Sequence, residues 1–246
     1  SHATCYSWVA YQTAYLKAHF PADYMAANLT RNKDNISDIA KFMEECKRMG
    51  IKVLNPDVNE SYLNFTSNAE GNIRFGLGGI KGVGEAAVEA ILKEREANGL
   101  FKDIYDFFER VNLSACNKKT IENMALAGVF DCFSDVKREH FIATTQKGDT
   151  VLDVLIRYGN RVQSEKELSA NSLFGDMTEA MIAKPPLPEV EGISSSELSN
   201  KEKELVGIYL SSHPLDDYYV VLNYVCNANT INLNDETFLA ESEGKT

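Results

Sequence analysis

Ile80-Lys81-Gly82-Val83-Gly84-Glu85-Ala86-Ala87-Val88-Glu89-Ala90-Ile91-Leu92 sets a branched apolar residue between two glycines and runs straight into a helical pattern. Gly82 and Gly84 tolerate backbone angles that other residues avoid. Val83 is free to point inward and anchor the turn. Ala86 and Ala87 are small enough for a neighbouring helix to pack closely. The first N–H groups of the helix have no acceptor inside it, so this turn is expected to present them to an anion.

Three readings of the stretch compete. The first is a helix-hairpin-helix element, which grips DNA phosphates without reading bases. The second is a nucleotide phosphate loop, but no Lys-Ser/Thr pair follows the second glycine and the dinucleotide spacing is wrong. The third is a purely structural turn. A weaker candidate lies downstream at Val111-Asn112-Leu113-Ser114-Ala115-Cys116-Asn117-Lys118-Lys119. There Asn117 is placed to cap a following helix, and Lys118 and Lys119 stand near its start, within reach of a phosphate. A solvated helix start explains those two lysines equally well. Two such elements in tandem make a better duplex grip than one.

Outward from the hairpin, the pattern is mainly α with a small β-hairpin. Upstream, helices are expected over residues 1–20, ended by Pro21, then 21–29 and 37–49. A short β-like run follows at 51–54. Residues 62–65 and 73–75 are expected to pair as a hairpin around 67–72. Downstream, helical patterns cover 85–97, 104–110, 118–127, roughly 136–157, and 197–210. From about 162 to 196 periodicity fades, and Pro185, Pro186, Pro188 and Ser194-Ser195-Ser196 read as a flexible linker. Inside it stands one apolar island, Ser172-Leu173-Phe174-Gly175. A Leu-Phe pair there either docks on its own domain or enters a pocket on a partner, as a modest and reversible peptide contact.

Composition bounds the function. The chain has 246 residues and a net charge of −11, which taken alone argues against nucleic acid. The acid is unevenly spread: residues 161–246 carry 15 acidic against 6 basic residues, whereas 72–130 carry 8 of each. The middle of the chain is therefore neutral enough to offer phosphates a local basic edge. The five cysteines, Cys5, Cys46, Cys116, Cys132 and Cys226, form no C-x-x-C pair, and the four histidines are scattered. This argues against a disulfide framework or zinc site and for a reducing cytoplasm. No apolar run is long enough to span a membrane. Both ends lack start and stop signals, so the chain reads as a piece of a longer protein.

Taken together, several blocks resemble the DNA polymerase III alpha subunit family of bacterial replicative polymerases. They are Ser1-His2-Ala3, Tyr6-Ser7, Ala10-Tyr11-Gln12-Thr13-Ala14-Tyr15-Leu16-Lys17-Ala18-His19, Pro21-Ala22-Asp23-Tyr24-Met25-Ala26-Ala27, Pro56-Asp57-Val58-Asn59, Ile73-Arg74-Phe75-Gly76-Leu77-Gly78, the glycine hairpin, Asn117-Lys118-Lys119, Ala127-Gly128-Val129-Phe130-Asp131, and the run Glu202 to Asp216. In this order they cover most of the chain, and jointly they are far more specific than any one alone.

The resemblance implies a division into the C-terminal part of the fingers (1–72), a helix-hairpin-helix domain (73–160), a linker with a clamp-binding motif (161–198), and a segment leading to an OB domain (199–246). It implies that Ser1, His2 and Tyr6 lie near the incoming nucleotide and nascent base pair. It implies that Lys81, Gly82, Val83 and Gly84, with Lys118 and Lys119, meet duplex DNA, and that Ser172, Leu173 and Phe174 bind the sliding clamp (beta subunit). The family's clamp pentapeptide usually begins with Gln; here Ala170 takes that position, which implies a weaker contact. The catalytic carboxylates with their Mg2+ ions belong to the palm, upstream of Ser1, so no catalytic residue and no metal ligand is assigned to this chain. Asp216-Asp217 reads as surface. The parent enzyme would transfer nucleotides from dNTPs to a primer 3′ end in company with other replicase subunits, and the isolated chain is expected to be inactive. Two alternatives from other classes are a non-enzymatic helix-hairpin-helix DNA-binding or repair module, and a module that only docks the clamp.

Overall fold

A computed structural model describes residues 2–145, 148–170, 182–190, 194–211, 215 and 218–226. It divides into two compact units, Ser1–Ser211 and Ser212–Thr246.

The first unit is mainly helical. It opens with α1 (His2–His19), α2 (Pro21–Arg31) and α3 (Ile36–Arg48). Pro21 both ends the run of α1 and starts α2, because its fixed φ suits a first helical position where no N–H is needed. The Asn35 side chain accepts hydrogen bonds from the Ser37 and Asp38 amides and so caps α3. Ala22, Met25, Ala26 and Leu29 of α2 pack with Ile39, Met43 and Cys46 of α3 in the core. By contrast α1 buries no residue: its Tyr6, Trp8, Tyr11 and Tyr15 are all exposed. The helix at 1–20 was legible in its spacing; a buried face for it was not realised.

The β element is a three-stranded sheet of order β1-β3-β2, with β1 (Val53–Leu54), β2 (Thr66–Ser67) and β3 (Ile73–Arg74). β2 and β3 form the expected hairpin, closed by Asn68, whose side chain accepts from the Glu70 and Asn72 amides. Its first strand is Thr66–Ser67, however, and not 62–65. The earlier segment is occupied otherwise: the carbonyls of Tyr62 and Leu63 accept from the Leu77 and Gly78 amides, and Ser61 Oγ donates to the Phe75 carbonyl at 2.7 Å. The run at 51–54 joins the sheet as β1, parallel to β3, with Val53 opposite Ile73.

After a 3₁₀ turn at Leu77–Gly79 come α4 (Glu85–Asn98), α5 (Ile104–Arg110), α6 (Lys118–Leu126), a 3₁₀ turn at Arg138–Phe141, α7 (Val151–Ala170) and α8 (Ser195–Val206). The expected helix at 136–157 is thus two elements. α7 continues to Ala170, well past the point where periodicity fades, because it is anchored at its start and again beyond its middle: Val151, Leu152 and Leu155 are buried, and Gln163 Nε2 donates to the carbonyls of Phe108 and Val111 at 2.9 Å each. Val88, Ile91, Ile104, Phe107, Phe108, Ile121 and Met124, all inaccessible, fill the space between α4, α5 and α6. Burial of each is worth about 1.5–3 kcal/mol before entropy is subtracted.

Part of the proposed linker is also held. Tyr105 Oη donates to the Pro185 carbonyl at 2.7 Å, Lys184 pairs with Asp103 at 3.0 Å, and a ring nitrogen of His140 lies 3.1 Å from the Pro188 carbonyl. Residues 182–190 therefore lie along α5 and the 3₁₀ turn as an anchored strap. Proline-rich sequence lacks periodicity either way, so composition alone did not separate a free linker from a docked one. In the second unit, α9 (Tyr219–Tyr224) is described, with Tyr219, Val220 and Tyr224 exposed.

Two partly exposed carboxylates set an acid limit. Arg48 and Lys17 hold Glu45 down at about 2 from its ordinary 4.5, and Lys118 with Thr150 holds Asp153 at about 2 from 3.8. A lowered pKa contributes stability that is complete above the ordinary value and disappears as pH falls toward the folded one. The urea midpoint is expected to be flat from pH 7 to about 5 and to fall between pH 4.5 and 2. A midpoint unchanged at pH 2.5 would contradict these pairings.

Candidate nucleic-acid interface

The glycine turn is open to solvent on one side and anchored on the other. Lys81, Gly82, Gly84, Glu85 and Ala86 are exposed, whereas Val83, Ala87 and Val88 are buried. Gly82 has φ +77°, the left-handed region that favours glycine. Gly84 does not: at φ −78° and ψ 153° it adopts an extended conformation open to any residue. The expectation that both glycines need special angles is corrected accordingly. A Cβ at Gly84 would meet nothing within 4 Å, so space is open beside the helix start. Val83 N–H donates to the Ile80 carbonyl at 3.1 Å, closing the turn, and the first bonds of α4 run from the Ala87 and Val88 amides to Gly84 O. Among the described residues, the amides of Gly84, Glu85 and Ala86 have no acceptor. They form the positive end of α4.

The second candidate adopts a similar arrangement. Asn112 Oδ1 accepts from the Ser114 amide at 2.9 Å, and Asn117 Oδ1 accepts from the Thr120 amide at 3.0 Å, capping α6 as its sequence position suggests. The fold brings the two turns together. Asn123 Nδ2 donates to the Lys81 carbonyl at 2.9 Å, Thr120 Oγ1 to the Gly82 carbonyl at 3.4 Å, and Cys116 Sγ to the Ala87 carbonyl at 3.5 Å. The starts of α4 and α6 thus share one seam. Lys118 and Lys119, in the first turn of α6, each hold an acidic partner: Asp153 at 2.7 Å and Glu122 at 2.8 Å.

The supports of this seam were not visible in the sequence. Asn123 is the first, a nearly buried carboxamide on α6. The second is α8, whose Leu205 carbonyl accepts from the Lys81 amide at 2.9 Å. α8 is held in turn by Glu202, wholly inaccessible, which receives Arg138 Nη1 at 2.6 Å, the Leu210 and Ser211 amides at 2.6 and 2.9 Å, and Ser211 Oγ at 2.6 Å. Arg138 also engages Asp131 and the Leu126 carbonyl. A Glu four residues before the end of a helical run and an Arg in a loop carry no local mark of this pairing.

The remaining sequence-proposed positions lie apart. His2 and Tyr6 meet edge to face one turn apart on α1, with ring centroids 4.5 Å from each other, and no bond or ring contact among the described residues joins them to the hairpin. Ser1, Ser172, Leu173, Phe174, Asp216 and Asp217 lie outside the described residues, and Ala170 closes α7. The described residues contain no cluster of three metal-ligating side chains and no helix long and apolar enough to cross a membrane.

A family described as the helix-hairpin-helix motif matches residues 50–140. That span covers the sheet, both turns and α4 to α6. Over 94% of its length, the chain is 38% identical to a DNA polymerase III subunit alpha of Borreliella burgdorferi. The chain is a relative of one segment of the DNA polymerase III alpha subunits. It is likewise 39% identical over 88% of its length to the subunit from Chlamydia trachomatis, and 36% identical over 91% to that from Haemophilus influenzae. It spans 20%, 17% and 19% of these three relatives, about a fifth of a polymerase subunit.

Proposed function

We propose that this chain is the duplex-holding and clamp-tethering segment of a replicative DNA-directed DNA polymerase acting in the cytoplasm. The observation that carries the reading is the open Gly82–Gly84 turn, with acceptor-free amides at the start of α4, in a chain 38% identical to an alpha subunit along 94% of its length. Backbone amides at a helix start suit a phosphate and ignore the base, so the grip is indifferent to sequence. Lys81 adds charge beside it, and the capped start of α6, with Lys118 and Lys119, supplies a second contact along the same strand or its complement.

In the parent enzyme the primer 3′ oxygen attacks the α-phosphorus of a dNTP and pyrophosphate leaves. Mg2+ held by carboxylates of a palm outside this chain would activate the attacking oxygen and stabilise the leaving group. Ser1, and His2 and Tyr6 of α1, would face the incoming nucleotide, Tyr6 by stacking and His2 near the triphosphate. Ser172, Leu173 and Phe174 would insert into the sliding clamp, raising the local concentration of polymerase at the primer end. Other replicase subunits are expected as partners of the whole enzyme.

Gly84→Val tests the grip. The new side chain lies in empty space at an ordinary backbone conformation, so stability is expected to change by no more than about 1 kcal/mol, the scale of an altered helix cap. Duplex affinity at low salt is expected to fall at least tenfold, as the side chain covers the amides, an order of magnitude being about 1.4 kcal/mol. Unchanged affinity in a folded Gly84→Val chain would refute the hairpin grip. Clamp capture by the chain, lost on joint Leu173→Ala and Phe174→Ala substitution, tests the tether.

A further inference from the structure

The seam between the two turns carries acid as well as base, and the acid is placed on the lysines. Lys118 Nζ sits 2.7 Å from Asp153, a residue of another helix. Asp153 is itself fixed: it accepts from Thr150 Oγ1 at 2.6 Å and from the Thr150 amide at 3.2 Å, while its own amide donates to Thr150 Oγ1 at 3.1 Å. This reciprocal cap at the start of α7 holds the carboxylate in one orientation. Lys119 Nζ sits 2.8 Å from Glu122, one turn further along α6. Both lysines belong to the turn whose Thr120 touches Gly82, so they stand on the same seam as the glycine turn. Yet each ammonium already holds a carboxylate, so a phosphate that engages it competes with that carboxylate for its charge.

We propose that Asp153 and Glu122 hold Lys118 and Lys119 in reserve, making the second turn a deliberately weak grip on duplex DNA. This rests on the duplex-holding reading above and adds to it the residues that set its strength. Carboxylate and phosphate oxygens compete for the same ammonium, so the attraction to a phosphate is offset in part by the carboxylate already beside it. Such an exchange suits a surface that has to hold a duplex while the duplex moves through it. Exposed pairs of this kind are weak, so the reserve is shallow and is released by modest changes.

The test is duplex affinity of this chain against salt for four variants. Asp153→Asn keeps an oxygen for the Thr150 amide but loses the charge, and Glu122→Gln keeps the shape of its side chain. Each is expected to bind roughly two- to fivefold tighter, the range that exposed ion pairs span, with a steeper dependence of log affinity on log salt as the freed ammonium neutralises a phosphate. Glu89→Gln, which removes an exposed charge from α4, is expected to leave affinity within twofold of the parent chain. The decisive variant is Asp153→Asn combined with Lys118→Gln: if Asp153 acts through Lys118, the gain disappears in that background. A gain that persists without Lys118, a Glu89→Gln gain of equal size, or no gain from Asp153→Asn in a chain that binds duplex each overturns the proposal. A parent chain that binds no duplex even at low salt overturns the duplex-holding reading itself, and this inference with it.

Discussion

Glu202→Ala is expected to destabilise the chain by about 3–5 kcal/mol, the range for removing one partner of a buried ion pair. Glu202 is wholly inaccessible and the Arg138 side chain is only 12% exposed. Truncation takes one of the two carboxylates from the guanidinium, leaving it with Asp131, the Leu126 carbonyl and Ser211 Oγ, and it strips the Leu210 and Ser211 amides of their acceptor. Those three losses fall on the same few residues, so they act together and do not add as independent terms. For a domain of this size, such a loss lowers the melting temperature by roughly 10 °C. Glu202→Gln keeps an oxygen for the two amides and gives up only the charge, so it is expected to lose less. Urea unfolding measures both. A loss below about 1 kcal/mol in Glu202→Ala would mean that α8 is not locked to α6 and the Arg138 turn as described. Because the Leu205 carbonyl holds the Lys81 amide, loosened α8 is also expected to weaken duplex binding before the rest of the domain melts.

Gly82→Ala is the second large effect, expected at about 2–4 kcal/mol. A left-handed backbone disfavours an L side chain by about 1–2 kcal/mol. The added Cβ would also lie 2.5 Å from Asn123 Nδ2. Asn123 must then move and release the Lys81 carbonyl, leaving a nearly buried carboxamide unsatisfied, which costs about 1–3 kcal/mol. The two contributions separate experimentally. In an Asn123→Ala background the contact is already gone, so Gly82→Ala is expected to cost only the backbone term. Equal costs in both backgrounds would show that Asn123 does not support the turn. The contrast with Gly84→Val is one of stability against binding: Gly82→Ala is expected to disturb the turn itself, Gly84→Val only the approach to it.

Most helices were legible because their signals are local. Pro21 at a helix start, Asn117 as a cap and the G-h-G turn each act within four residues, and structure followed them within a residue or two. The β-hairpin was legible in kind but misplaced, since residues 62–65 are largely apolar and aromatic yet Tyr62 and Leu63 bond to Leu77 and Gly78 outside any ladder. The resemblance to the alpha subunits was carried by blocks spread along the whole chain, and the comparisons bear it out. The two lysines of α6 were legible as charges near a helix start, but not as charges already paired.

Sequence alone therefore determined the helical class, the glycine turn and the family. The tertiary structure decided what surrounds that turn: the Asn123 support, the seam joining α4 to α6, the α8 brace and the carboxylates on Lys118 and Lys119. The reason is distance along the chain. Capping and backbone preferences are set by neighbours, whereas Arg138 meets Glu202 across 64 positions and Lys118 meets Asp153 across 35. Only packing of the intervening helices selects those partners from many chemically equivalent ones.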